Sequence, residues 1–241
     1  MQEPIKNWID LWEQNDLWWS LKLCRTNVEL FLRLVAPIVQ FKKSDVILNI
    51  GCGPGRLETL LAPQVEAIMA VDASKRLVEM CKEVCRMHRN VSVKVLGLDY
   101  TDLSLCGRSF SLILCVSVVQ YYKDISEVEA LIRSAQKIVL PGAKMLIADL
   151  PLKRNIPGFV WDAFCSLMMS IKEGYTFELL RAAYAVFLRK SEFRSLNRPE
   201  NLLSFTFEEI DSLIKRMRLD AAIIRQSLSV YSNRPSILIN L

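Results

Sequence analysis

The sequence predicts an α/β fold, a mostly parallel sheet with helices on both faces, and three observations predict it. Five short apolar runs recur from residue 45 onward, with amphipathic helical segments between them. The first run leads directly into a glycine-rich bend, NIGCGPG, Asn49 to Gly55. Two further strand candidates, AAIIRQSLSV and PSILINL, close the chain. A length of 241 residues suits a single α/β domain with a helical elaboration, and 51% hydrophobic with 24% charged residues describes an ordinary folded chain.

Residues 8–40 read as helical, because WWSLKLCRTNVELFLRLVAPIV repeats large apolar groups at three- and four-residue steps until Pro37 and the pair Lys42 and Lys43. Trp12, Trp18 and Trp19 stand at the front of this stretch and pack it onto the domain; a sharper reading has Trp18 or Trp19 closing over a bound ligand. The strand runs are VILNI (46–50), AIMAVD (67–72), VSVKVLGLD (91–99), FSLILCVSV (110–118) and AKMLIADL (143–150). Between them, Ser74 opens a helix on which Leu77, Met80, Cys81, Val84, Cys85 and His88 share one face. Ser126 with Glu129 has the spacing of a capping box, and Val128, Leu131, Ile132 and Ala135 follow as its buried stripe. Residues 151–204 are too long for a crossover and strongly helical, so they predict a lid inserted after the fifth strand, near the ligand end of the sheet. Thr206 with Glu209 makes a second capping box before Ile210, Leu213, Ile214 and Met217. The whole is read as one domain, 1–241: an N-terminal helical segment (1–44), a ligand-binding core (45–150), the lid (151–204), then a final helix and two strands (205–241).

The bend between the first strand and the helix near Arg56 carries the chemistry. Gly51 permits a tight turn, Gly53 allows a ligand close to the backbone, and amides at the helix start favour an anionic group. Asp72 ends the next strand about twenty residues on, where a carboxylate accepts bonds from both hydroxyls of a ribose. A dinucleotide site wants G-x-G-x-x-G; here the spacing is G-x-G-x-G and Arg56 follows. No GK[ST] follows the loop, which speaks against a nucleoside triphosphate. A nucleoside with an amino-acid tail fits better, since it needs room for a carboxylate and an ammonium but no pyrophosphate.

Other classes recede. A net charge of +5 with scattered basic residues does not call for nucleic acid. Seven cysteines (24, 52, 81, 85, 106, 115, 165) form no CxxC pair, several lie in apolar runs, and they suit a reducing, cytoplasmic compartment. His88 is the sole histidine, so no metal site is expected. MQEPIKNWIDLWEQND lacks the apolar segment of a secretion signal, and no run of 18 apolar residues predicts a membrane span.

In order and at familiar distances, residues 45–150 resemble the class I S-adenosylmethionine-dependent methyltransferases of the small-molecule type. NIGCGPG is similar to the first motif of that family, VDAS (71–74) to the second, and LGLDYTDL (96–103) to the third. FSLILCVSVVQYYKD (110–124) and LPGAKMLIAD (140–149) resemble the fourth strand, its helix and the fifth strand. The resemblance implies a seven-stranded, mostly parallel Rossmann-like sheet with an antiparallel last strand, and S-adenosyl-L-methionine as cofactor with S-adenosyl-L-homocysteine as product. It assigns cofactor binding to Asn49, Gly51, Cys52, Gly53, Gly55, Asp72 (the ribose acid), Ala73, Asp99 (the adenine amino group), Tyr100 and Val116. Two positions depart from the pattern. Asn49 stands where relatives carry Asp or Glu, which removes a charge facing the cofactor's ammonium. Gln120 stands where many carry His.

Methyl transfer from a sulfonium is an in-line displacement in which positioning supplies most of the rate, with a base for a weakly acidic oxygen. Candidates for that base near the ends of strands four and five are Tyr121, Tyr122 and Asp149, while Asp124 is equally a helix starter. Substrate contacts are expected from Trp18, Trp19, Gln120, Tyr121, Tyr175, Arg181 and Tyr184. Arg181, Arg189, Lys190, Arg194 and Arg198, interleaved with Tyr184 and Phe187, read as a solvated face or as a site for an anionic substrate. The expected activity is methylation of a small biosynthetic metabolite, most often at oxygen. Two rivals stand beside it: an inactive methyltransferase-like scaffold, motivated by Asn49 and the missing histidine, and a nucleic-acid methyltransferase, against which VSVVQYY lacks an NPPY-type tetrapeptide.

Overall fold

The computed structural model describes residues 7–14, 22–96, 102–153, 156–188 and 202–241. Two helices, α1 (Trp8–Gln14) and α2 (Lys22–Val39), precede the sheet, and Pro37 sits inside α2 rather than ending it. Then follow β1 (Val46–Ile50), α3 (Arg56–Leu61), β2 (Ala67–Asp72), α4 (Lys75–Cys85), β3 (Val91–Val95), β4 (Phe110–Val116), α5 (Ile125–Ala135) and β5 (Val139–Ala148). Two long helices, α6 (Ile156–Glu173) and α7 (Thr176–Leu188), separate β5 from α8 (Phe207–Met217), β6 (Asp220–Ile224) and β7 (Ser236–Asn240).

The seven strands form one sheet in the order β3-β2-β1-β4-β5-β7-β6. The first five are parallel, and β7 runs antiparallel to both β5 and β6. The strand order reverses between the parallel β1 and β4, which opens a crevice at the carboxyl ends of those strands. Side-chain alternation sorts the core into two layers. Leu48 and Ile50 of β1, with Ile113 and Met145, face α5 and α8; Ile47, Leu112, Leu114 and Leu146 face α2 and α3. Asn49 shares the parity of Ile47, so the period of the strand turns its side chain toward α3.

Several boundaries differ from the sequence expectation. β3 ends at Val95, and residues 97–101, which carry Asp99 and Tyr100, lie outside the described residues. On α4 the buried positions are Leu77, Val78, Cys81 and Cys85; Val84 is exposed, and His88 lies beyond the helix. The cap of α5 is Asp124, whose carboxylate accepts from Ser126 N at 2.9 Å, and Glu129 turns away to Arg216 and Arg133. Asp124 thereby leaves the set of catalytic candidates. The box at Thr206 and Glu209 is present with both reciprocal bonds.

Helix α6 has inverted polarity. Its inward stripe carries Asp162, Ser166 and Ser170, which bond Asn233, Ser232 and Thr176, while Val160, Trp161, Phe164, Met168 and Ile171 are exposed. No described helix is long and apolar enough to cross a membrane.

Replacing Asp124 with Ala should lower the unfolding free energy by about 1 kcal/mol, the worth of an N-cap, and Ser126→Ala clearly less. Equal losses in urea titrations would return the cap to Ser126.

Candidate active site

The crevice is built on a clamp. Gly51 N and Cys52 N both donate to Val71 O, at 2.8 and 3.0 Å, so the glycine bend crosses onto the end of β2. There the carboxylate of Asp72 accepts Gly53 N on one oxygen and Ser74 N on the other, each at 2.9 Å. One side chain holds the bend, the start of α4 and itself. The two amides leave further lone pairs of the carboxylate for a ligand. Burial pushes the Asp72 pKa upward, against the lowering effect of those amides.

The glycines serve different needs. A Cβ at Gly51, whose φ is +74°, would lie 2.2 Å from Val118 Cγ2. A Cβ at Gly55, φ +84°, would lie 2.8 Å from Cys81 Sγ and 3.0 Å from Cys81 Cα. Gly55 is therefore spent on seating α3 against α4, and it is absent from the cavity wall. Behind the bend, Asn49 Nδ2 donates to Glu58 Oε1 at 2.5 Å in the interior.

The far side of the crevice is a polar cluster at the ends of β4 and β5. Ser117 and Asp149 both take left-handed backbone conformations, φ +59° and +66°, a cost of order 1–3 kcal/mol each that persists at functional positions. Ser117 Oγ and Ser229 Oγ donate to the two oxygens of Asp149, at 2.5 and 2.8 Å. Arg234 stands 3.7 Å from Asp149 Oδ2, donates to Gln120 Oε1 at 2.8 Å and lies over the Tyr231 ring. Gln120 Nε2 in turn donates to Ser117 O.

Aromatic rings form the roof. The Trp8 and Tyr121 rings lie 4.6 Å apart and those of Trp12 and Tyr121 6.3 Å apart. α1 is tied down on α4 by Arg76, which donates to Glu13 O at 2.8 Å. Together these walls enclose a cavity of about 430 Å³.

Of the residues singled out in the sequence, Asn49, Gly51, Cys52, Gly53, Asp72, Ala73, Val116, Gln120, Tyr121, Tyr122 and Asp149 line this cavity. Trp18, Trp19, Asp99 and Tyr100, like Arg189, Lys190, Arg194 and Arg198, lie outside the described residues. Three substrate candidates are elsewhere. Tyr175 is buried among Leu23, Leu30 and Val230, with its hydroxyl on Val230 O, and its role is structural. Arg181 and Tyr184 are exposed on α7 and off the cavity wall. The sequence reading missed Trp8, Ser117, Tyr231 and Arg234, all of which line the site. Trp8 had a signal, since it stands one helical turn before Trp12; Ser117 and Arg234 had none, because only the sheet brings them together.

A strand–glycine bend–helix unit with an acid ending the second strand, set at the topological switch of a sheet with an antiparallel β7, narrows the family. The family described as "Methyltransferase domain" matches residues 47–142. Over these residues, fewer than half of its length, the chain is similar to a methyltransferase domain. Among its relatives is the chondramide synthase of Chondromyces crocatus, 31% identical over 144 residues, which cover 58% of this chain and 4% of that protein. The ubiquinone biosynthesis O-methyltransferase of Coxiella burnetii is 24% identical over 153 residues, 62% of this chain and 60% of the relative. The chain thus spans less than two thirds of the length of either relative. In overall fold the chain is similar to the N-methyltransferase NodS of Bradyrhizobium japonicum, solved with S-adenosyl-L-homocysteine. That likeness has a TM-score of 0.58 at 16% identity, over 96% of this chain and 95% of the other.

Gly51→Ala should destabilise the protein by about 1–3 kcal/mol, as overpacking does, and Val118→Ala should recover part of that loss by removing the methyl it meets. Thermal melts of the single and double variants check this; strictly additive losses would mean the two residues do not meet.

Proposed function

We propose that this chain transfers the methyl group of S-adenosyl-L-methionine to a small-molecule acceptor, at an acidic oxygen. The observation that carries the reading is the joining of two half-sites in one cavity: the Asp72-clamped glycine bend, and the Gln120–Asp149–Arg234 cluster under an aromatic roof. The volume falls within the range of small-molecule sites.

The residues fit the cofactor. Asp72 offers carboxylate lone pairs to the ribose, the bare backbone of Gly51 to Gly53 admits close approach, and Asn49 lines the wall on the amino-acid side. When bound, the cofactor supplies a methyl on a positively charged sulfur, an already activated leaving group. The protein then has to orient the acceptor and exclude water.

Among the described residues, Asp149 and Tyr121 at the proposed acceptor end are not suited to act as a free general base. Both oxygens of Asp149 accept hydroxyls, and Arg234 lies beside them. Burial pushes the Tyr121 phenol up to about 12, so it keeps its proton at neutral pH. An acceptor that ionises on its own, such as an acidic phenol or an enol conjugated to a carbonyl, needs no such base. Arg234, partly desolvated in the wall, favours its anionic form, and the flat rings of Trp8, Tyr121 and Tyr231 suit a planar body. The names of the quinone-pathway relatives agree with an acceptor of this kind. Seven free cysteines, six of them buried, support a reducing, cytoplasmic setting.

Asp72→Ala should abolish cofactor binding in calorimetry, and retained micromolar affinity would remove the assignment. With a phenolic acceptor, kcat/KM should rise with pH along the acceptor's own ionisation, and Tyr121→Phe should leave that profile in place. A profile displaced by the substitution would make Tyr121 the base.

A further inference from the structure

Glu58 is the unexplained charge of the molecule. It lies in the first turn of α3, fully buried, behind Asn49 in the cavity wall. Asn49 Nδ2 occupies its Oε1, while its Oε2 has no hydrogen-bond partner. No Lys or Arg forms an ion pair with it among the described residues. The Asn49 amide and the backbone amide of Glu58 itself favour a negative charge, and burial and the acidic groups around it oppose one. Asp72 faces it from β2, Cys52 from the bend, and Cys81 and Cys85 from α4; Arg56, on its own helix, exerts its charge on Cys24 of α2. A buried carboxylate without a counter-ion is expensive, and natural proteins rarely keep one idle.

We infer that Glu58 is a counter-ion held in reserve for a cationic ligand at the Asn49 wall, and that it releases its proton as that cation enters. The inference rests on the cofactor reading above and deepens it, because it names the group that answers the charge of the cofactor's amino-acid tail. S-Adenosyl-L-methionine and S-adenosyl-L-homocysteine both carry the ammonium that would face Asn49, so both should draw the proton from Glu58. Glu58 acts through Asn49 and through space; it is a positioning residue and does not line the cavity.

Burial holds the Glu58 pKa up at about 7, with the Asn49 bond opposing the rise. In the free protein the proton is thus present below neutrality and lost above it. A cation favours the ionised form, so its affinity should climb as pH rises through 7. The effect on folding has the opposite sign. Because the folded pKa exceeds the unfolded one, Glu58 favours folding at low pH, and that contribution fades as pH rises through 7.

The test is calorimetry of both cofactor forms at pH 6 and pH 8, in two buffers of different ionisation enthalpy, on the full chain and on Glu58→Gln. In the wild type, S-adenosyl-L-methionine should bind about five- to tenfold tighter at pH 8 with proton release at pH 6, a change within the tenfold per pH unit that one coupled proton allows. S-Adenosyl-L-homocysteine, which keeps the same ammonium, should gain as much. In Glu58→Gln the affinity for each form should be the same at both pH values, with no proton released. The ligand-free variant should also raise Tm more at pH 8 than at pH 6. Wild-type binding of both compounds with no proton release and no change of affinity between the two pH values would overturn the inference while leaving the cofactor reading intact; that measurement needs no variant. Failure of the wild type to bind either compound would overturn both.

Discussion

The structure depends on the placement of one carboxylate. Asp72 is buried at the end of β2 and takes one backbone amide on each oxygen, from Gly53 across the bend and from Ser74 at the start of α4. Both amides would otherwise lack a partner in the interior, and an orphaned buried amide costs as much as a lost hydrogen bond. The acid therefore ties β1, β2, α3 and α4 to one geometry before any ligand arrives. The same carboxylate lines the cavity and keeps further lone pairs beyond those two bonds.

The second half of the site uses the opposite device. Around Asp72 the backbone is relaxed and the side chain sits at the centre; at the ends of β4 and β5 the backbone is strained, and side chains hold it. Ser117 and Asp149 keep left-handed conformations because Ser229, Arg234 and Gln120 close a ring of bonds about them. Ser229 and Arg234 come from the segment between β6 and β7, so the last hairpin of the sheet reaches back across β5 to complete the cavity. The antiparallel β7 has a functional consequence in addition to closing the sheet: it returns Arg234 to the carboxyl ends of the parallel strands.

How much could be read from the sequence follows from how local each feature is. The strands, the glycine bend, Asp72 and the Thr206 box are written in periods and spacings of a few residues, and they emerge as expected. The Asp149–Arg234 cluster joins residues 85 positions apart, and nothing near either one announces the other. Asp124 was open to either role, because an Asx cap two residues before a serine and a capping box starting at that serine look alike in sequence. Helix α6 shows a different limit. The segment is helical as expected, yet its inward stripe is polar, because Asp162, Ser166 and Ser170 find partners there.

The bend itself shows why a motif should be divided residue by residue. Three glycines invite a single explanation, a ligand lying on bare backbone. Yet Gly51 is required by Val118, Gly55 by Cys81, and Gly53 is the one whose amide is held by the acid. The apparent loss at Asn49 has the same resolution. Read along the strand alone, Asn49 is one polar side chain in the cavity wall; read across the fold, Glu58 stands 2.5 Å behind its amide, supplied by the helix that Gly55 seats. The close packing of α3 on α4, and with it the third glycine, is thus a condition for that interior bond as well as for the shape of the crevice.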